Sequence, residues 1–170
     1  GYDALKEVGI PLMPHLGYKE MTPLGQAEWI KFVGLLLGKE EKANEQFAAI
    51  KKRYNELKEL TGRVTKRPVV FSGELRGGNW YAVGGRSFLA QLFKDAGADY
   101  FLKDDEQSGG VTLDFETVYK EKGVIYCNMR EKPFYESMPT EPEVVLADLI
   151  QIFHPQLLSG HQPGYYELLK

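Results

Sequence analysis

The sequence contains a single cysteine, Cys127. A lone thiol excludes an internal disulfide framework and any multi-cysteine zinc or iron-sulfur centre within the chain. Histidine is scarce as well: His15, His154 and His161 lie far apart, without the i,i+4 spacing or companion carboxylates of a metal-binding helix, so no metal site is expected. Positive charge is not in excess, because 21 Lys and Arg stand against 24 Asp and Glu for a formal net charge of -3. That balance removes the basic face on which nucleic-acid binding depends, and no nucleic-acid partner is expected. No apolar run approaches the roughly 20 residues that span a bilayer. The first residues also lack the charged segment and apolar core of a secretion signal, so a soluble chain is expected, with any export signal lying outside it. There is no nucleophile elbow, no Walker loop and no acid and base paired around a common motif, which leaves no positive ground for catalysis or for a cofactor.

What is present is a chain of 170 residues with 43% hydrophobic content, enough to bury one sizeable core. Residues 1–16 read as the tail of a helix, a stop at Gly9 and a short apolar strand over residues 10–13. Thr22 followed by Pro23 is a helix-start signature, since a threonine oxygen caps a free amide and proline needs no amide donor at the first helical position. Trp29, Phe32, Val33 and Leu36 recur at helical spacing up to Gly38. A second amphipathic pattern runs through Ala43, Phe47, Ile50, Tyr54 and Leu57, and Gly62 offers a left-handed stop.

From Arg67 onward, short β-branched or aromatic runs alternate with helical ones, the pattern of a parallel sheet with crossover helices. Strands are expected over residues 69–72, 100–102 and 124–127. Phe88, Leu89, Leu92, Phe93 and Ala96 form a helical stripe capped by Ser87 and closed by Gly97. Asp114 is expected to start a helix through Phe115, Val118 and Tyr119. A last helix is expected from about Glu143 to Phe153, ending before Pro155.

Chemistry has few places to sit. Gly77, Gly78, Asn79, Trp80 and Tyr81 set two large aromatics in a glycine-rich loop just after a buried strand, and the carboxyl end of an α/β sheet is where ligands bind. The alternative for Trp80 and Tyr81 is that they simply cover the sheet edge. Gly84, Gly85, Arg86 and Ser87 follow at a helix start, where free amides and a guanidinium can hold an anionic group. Tight turning and ordinary capping explain both glycines and Ser87 equally well, so Arg86 is the better candidate. Glu116 falls in a first helical turn, where a carboxylate favours the helix dipole without any further role.

Five stretches, in order, resemble the bacterial solute-binding proteins that serve siderophore, haem and cobalamin ABC importers: "YKEMTPLGQAEWIKF" from Tyr18, "FSGELRGGNWYAVGGRS" from Phe71, "DAGADY" from Asp95, "LDFETVY" from Leu113 and "VLADLIQIFHP" from Val145. The resemblance implies an α/β fold of two Rossmann-like lobes joined by a long, stiff helical connector, with ligand held between the lobes. Residues 1–21 would then end a first lobe, residues 22–66 form the connector and residues 67–170 make the second lobe, with most of the first lobe outside the chain. It further implies periplasmic capture of an iron chelate or a corrinoid, with a lipid anchor as an open alternative in the intact protein, and delivery to a membrane permease. Glu116 matches the second-lobe glutamate that docks on permease arginines. Trp80, Tyr81 and Arg86 match the second-lobe cleft wall, Tyr126, Asn128 and Arg130 follow a later strand, and Tyr18 and Glu20 stand near the hinge. The step from Glu116 to Val124 is shorter than the family pattern. A different class of reading, a nucleotide- or flavin-binding α/β enzyme with a phosphate cradle at Gly84 to Ser87, is weakened because Trp80 and Tyr81 separate strand from glycines, whereas dinucleotide folds place the glycines directly after the strand.

Overall fold

The computed structural model describes residues 2–114 and 134–166. A short helix α1 spans Asp3–Glu7 and stops at Gly9, whose positive φ of 73° suits glycine. The strand expected over residues 10–13 does not form. Ile10, Leu12 and Met13 lie exposed in irregular chain, and the Ile10 amide turns back to the Leu5 carbonyl of α1.

Helix α2 covers Pro23–Leu36, with the Thr22 side chain accepting from the Gly25 amide as the sequence implies. Helix α3 covers Glu40–Thr61, and the two pack against each other. Their approach is close enough that a side chain at Gly34 would run into the Ala43 methyl group. Residues 23–61 therefore form two helices folded together around a bend at Gly38, where φ is 61°. Gly62 does not supply the expected left-handed stop: its φ is -60°. Instead the Thr61 hydroxyl lies 2.6 Å from the Asp95 carbonyl oxygen and fixes the end of α3 to the next helix.

Two short strands, β1 (Val69–Val70) and β4 (Asp99–Tyr100), pair in parallel. Between them runs helix α4, Phe88–Asp95, with Ser87 accepting from the Ala90 amide and Gly97 closing it at φ 81°. Parallel strands joined by a crossover helix make the fold α/β, as the sequence implies. Residues that read as a loop form a second sheet instead. Strand β2 (Glu74–Arg76) turns back through Gly77 and Gly78, at φ 57° and 83°, into β3 (Asn79–Val83), which also pairs with β5 (Gly110–Asp114). Two consecutive positive φ values are what a two-residue hairpin turn with the right twist demands. Asp114 is the last described residue of β5. The helix expected beyond it, the strand expected at 124–127, and Glu116, Tyr126, Asn128 and Arg130 lie outside the described residues.

Helix α5 (Phe134–Ser137), a 3-10 turn (Met138–Thr140) and helix α6 (Pro142–Phe153) complete the order. Helix α6 carries the densest burial: Val145, Leu146, Leu149 and Ile150 share a core with Leu57 of α3, Leu92 of α4 and Val70 of β1. His154, the residue that follows the end of α6, is buried with Nε2 at 3.0 Å from the Gly97 carbonyl oxygen. Asp148 is fully buried, and its carboxylate accepts from the Tyr165 amide and meets His161 Nε2 at 2.6 Å, which binds the segment after α6 back onto that helix.

Candidate ligand-binding surface

The antiparallel sheet sits past the carboxyl ends of β1 and β4, where the chain leaves Val70 through Phe71, Ser72 and Gly73. Three contacts fix it there. The Tyr100 hydroxyl donates to the Val83 carbonyl at 2.6 Å and lies 2.7 Å from the Ser72 hydroxyl. Burial raises the pKa of that phenol, so it remains a neutral donor. The Trp80 indole N–H donates to the Ser72 carbonyl at 2.9 Å. Gly73, at φ 120°, lets the chain pass so close to β3 that a Cβ there would collide with the Tyr81 carbonyl and come 2.7 Å from the indole nitrogen.

Strand pairing decides which side chains share a face. Leu75, Trp80 and Leu113 align across β2, β3 and β5, while Glu74, Tyr81 and Thr112 align on the opposite face. Trp80 and Tyr81 therefore do not form one wall. Trp80 is half-buried with Leu75 exposed beside it, and Tyr81 stands out to solvent among polar neighbours. Leu75 and Leu113 went unnoticed in the sequence because cross-strand neighbours are set by register, which no short window displays.

Arg86 is exposed, and its guanidinium pairs with Glu106 at 3.1 Å. The turn before it is not an open anion cradle. The Gly84 amide donates to Gly109, the Arg86 amide to Gln107 and the Ser87 amide to Gly84, while the Ser87 hydroxyl caps Ala90. Carbonyl oxygens of Leu102, Asp105 and Gln107 crowd the places where side chains at Gly84 and Gly85 would go. A phosphate would meet acceptors there, so the phosphate-cradle reading loses its donors.

Tyr18 lies exposed in a 3-10 turn, Gly17–Lys19. Glu20 is half-buried beside the first turns of α2, where its Oε1 accepts from the Trp29 indole at 3.0 Å. Among the described residues no hydrogen bond or ring contact links Tyr18 or Glu20 to Trp80, Tyr81 or Arg86. Glu20 lines a pocket of about 260 Å³ with Gly25, Glu28, Trp29 and Phe32. Gly25, Trp29 and Phe32 follow the i, i+4, i+7 spacing of one helix face, the sequence signal for this pocket. A larger cavity, about 600 Å³, lies between the end of α3, α4 and β4. Five of its charges pair internally: Lys58 with Asp95 at 3.0 Å, and Arg67 and Lys103 with Asp99 at 3.2 and 3.0 Å. The Lys103 hydrogen bond, helped by Arg67, lowers the pKa of the Asp99 carboxyl.

A family model described as periplasmic binding protein matches residues 11–147. The chain belongs to the periplasmic binding protein family. Among solved structures it is similar to a periplasmic solute-binding protein from Veillonella parvula DSM 2008, at 16% identity and TM-score 0.66 over 94% of this chain and 57% of that one. The TroA-like periplasmic binding protein FepB from Veillonella parvula matches at 16% identity and TM-score 0.61, over 95% and 62%. The haem-binding protein RhuT from Roseiflexus sp. RS-1 matches at 21% identity and TM-score 0.55, over 68% and 44%. The chain thus spans 44% to 62% of the length of these structures. No curated protein matches it.

Proposed function

We propose that this periplasmic binding protein chain serves as part of the solute-capturing component of an ABC importer, taking an iron chelate (a siderophore complex or haem) or a corrinoid and handing it to a membrane permease. The family match over residues 11–147 carries the reading. Among the structures it resembles, one from Roseiflexus is named for haem binding and one from Staphylococcus epidermidis for possible iron binding, which supports a metal-chelate ligand over a sugar or amino acid. Residues 1–21 would end one lobe, residues 22–66 bridge, and residues 67–170 form the second lobe. Family membership also supports a periplasmic location for the protein, free or lipid-anchored, and a binding role without catalysis.

The antiparallel sheet would supply the wall that lies against a flat chelate, through Tyr81 on its polar face or Trp80 on the other, with Arg86 offsetting negative charge. Tyr126, Asn128 and Arg130 would extend that wall, Tyr18 and Glu20 would close it near the bridge, and Glu116 would meet permease arginines. Such a wall gains affinity by being formed in advance, because little ordering is left to be done on binding.

The test is uptake. Cells lacking the segment that encodes this chain are expected to lose accumulation of one compound from a panel of haem, ferric siderophores and cobalamin, and to keep the rest. Unchanged accumulation across the whole panel would overturn the proposal.

A further inference from the structure

The Glu20 pocket has an electrostatic feature that its packing role does not use. Glu20 is half-buried, yet its carboxylate has a single hydrogen-bond partner, the neutral Trp29 indole. No cationic side chain among the described residues forms an ion pair with it. The other carboxylate of the pocket, Glu28, is matched by Lys31 at 2.7 Å. One negative charge therefore stays uncompensated beside aromatic surface. Trp29 and Phe32 stand edge to face with centroids 5.3 Å apart, and His15 packs on Trp29 at 4.7 Å. Gly25 preserves the space: a Cβ there would lie 2.9 Å from Glu20 Oε2 and 2.7 Å from the Thr22 hydroxyl, and would push the carboxylate aside.

We infer that this pocket is a binding site for a small organic cation of the alkylammonium class, with Glu20 as the charge partner and Trp29 and Phe32 as the walls. Each alternative occupant meets a specific obstacle. An anion would face the Glu20 charge. A neutral apolar group would strip water from that carboxylate and return no hydrogen bond. A divalent metal needs several hard ligands, and no group of three His, Cys, Asp or Glu able to hold a metal exists among the described residues. An ammonium on a short alkyl chain satisfies both features, since it donates to the carboxylate and is attracted to the ring faces. The volume of about 260 Å³ falls under the roughly 300 Å³ at which drug-sized sites begin, so the site takes a group of a few heavy atoms.

The inference is independent of the import reading, because it concerns simple cations binding to the chain itself. The sequence holds two tryptophans, Trp29 and Trp80, which give two indole N–H resonances by NMR. Titration with n-butylammonium is expected to move the Trp29 resonance to saturation in the millimolar range, while Trp80 stays still. n-Butanol should produce no saturable shift. Glu20→Gln keeps an oxygen to accept the indole hydrogen bond, so the pocket stays folded, and it should weaken butylammonium binding at least ~10-fold. No saturable shift at Trp29, an equal shift with n-butanol, or full binding in E20Q would each overturn the inference.

Discussion

The hydroxyl of Tyr54 donates to the Asp95 carboxylate at 2.8 Å across the contact between α3 and α4. Asp95 is buried, and its other oxygen is held by Gln91 at 2.8 Å and Lys58 at 3.0 Å. Burial first, and then the charge of Asp95, drive the pKa of the Tyr54 phenol far upward, so it never releases its proton in ordinary buffers. Helix α3 is thereby locked to the α/β unit by a polar joint as well as by Leu57. Tyr54→Phe should remove one donor from a buried carboxylate and lower stability by about 1–3 kcal/mol. Asp95→Ala, which strands the donors of three side chains, should cost about 3–5 kcal/mol. Urea unfolding of the two variants measures both, and a smaller loss in Asp95→Ala than in Tyr54→Phe would contradict the assignment of Asp95 as the centre of the joint.

Gly73 sits where β3 crosses the chain leaving β1. Its φ of 120° and the collision that a Cβ would make with the Tyr81 carbonyl combine two penalties, backbone strain and overpacking. Gly73→Ala should destabilise by about 2–4 kcal/mol. Because Trp80 bonds to Ser72 next door, the variant should also shift Trp80 emission to the red as the indole becomes wetter. An unchanged emission maximum with normal stability would mean that the hairpin does not depend on this close passage.

The helices were legible because their signals are local. Thr22 with Pro23, and Ser87, each cap or open a helix within three residues of themselves, and the structure places them there. The antiparallel sheet was not, although Gly77 and Gly78 between two short runs form a hairpin signal. Whether those runs pair depends on β5, some thirty residues later, and no local pattern in β3 reveals that partner. In the candidate site, Glu20 was singled out but its partner was not. Trp29 read as one member of a helical stripe, and a hydrogen bond spanning nine residues leaves no trace in that periodicity.

Glu143 offers a test of pH dependence. Its Oε2 is buried without a hydrogen-bond partner, and its pKa is raised, chiefly by burial, with Glu141 adding to the shift and Arg53 opposing it. A carboxyl that holds its proton more tightly when folded favours the folded state at low pH. That contribution is lost as pH rises from the unfolded pKa through the folded one. Glu143→Gln should therefore be modestly more stable than the parent at neutral pH, with the advantage vanishing in acid below the usual carboxylate range. Thermal midpoints measured from acid to neutral pH decide it, and a variant less stable than the parent at neutral pH would show that the ionised carboxylate is favourable in place.

Trp80 and Tyr81 are adjacent, yet the sheet makes them different kinds of residue. Trp80 is bonded to Ser72, aligned with Leu75 and Leu113, and half-buried. Tyr81 has 42% of its surface exposed and is aligned with Glu74 and Thr112. Removing the Tyr81 ring deletes little packing, so Tyr81→Ala should stay within about 0.5 kcal/mol of the parent in stability. If that ring lies against a bound chelate, its loss should weaken capture by about tenfold, the scale of one aromatic stacking contact. Trp80→Ala should instead lose stability by about 2–4 kcal/mol, because both indole packing and the Ser72 hydrogen bond disappear. Unfolding midpoints together with chelate uptake in cells separate the two residues. Undiminished uptake in Tyr81→Ala would assign the polar face of the sheet to solvent, and would leave Leu75, Trp80 and Leu113 as the face turned toward the ligand.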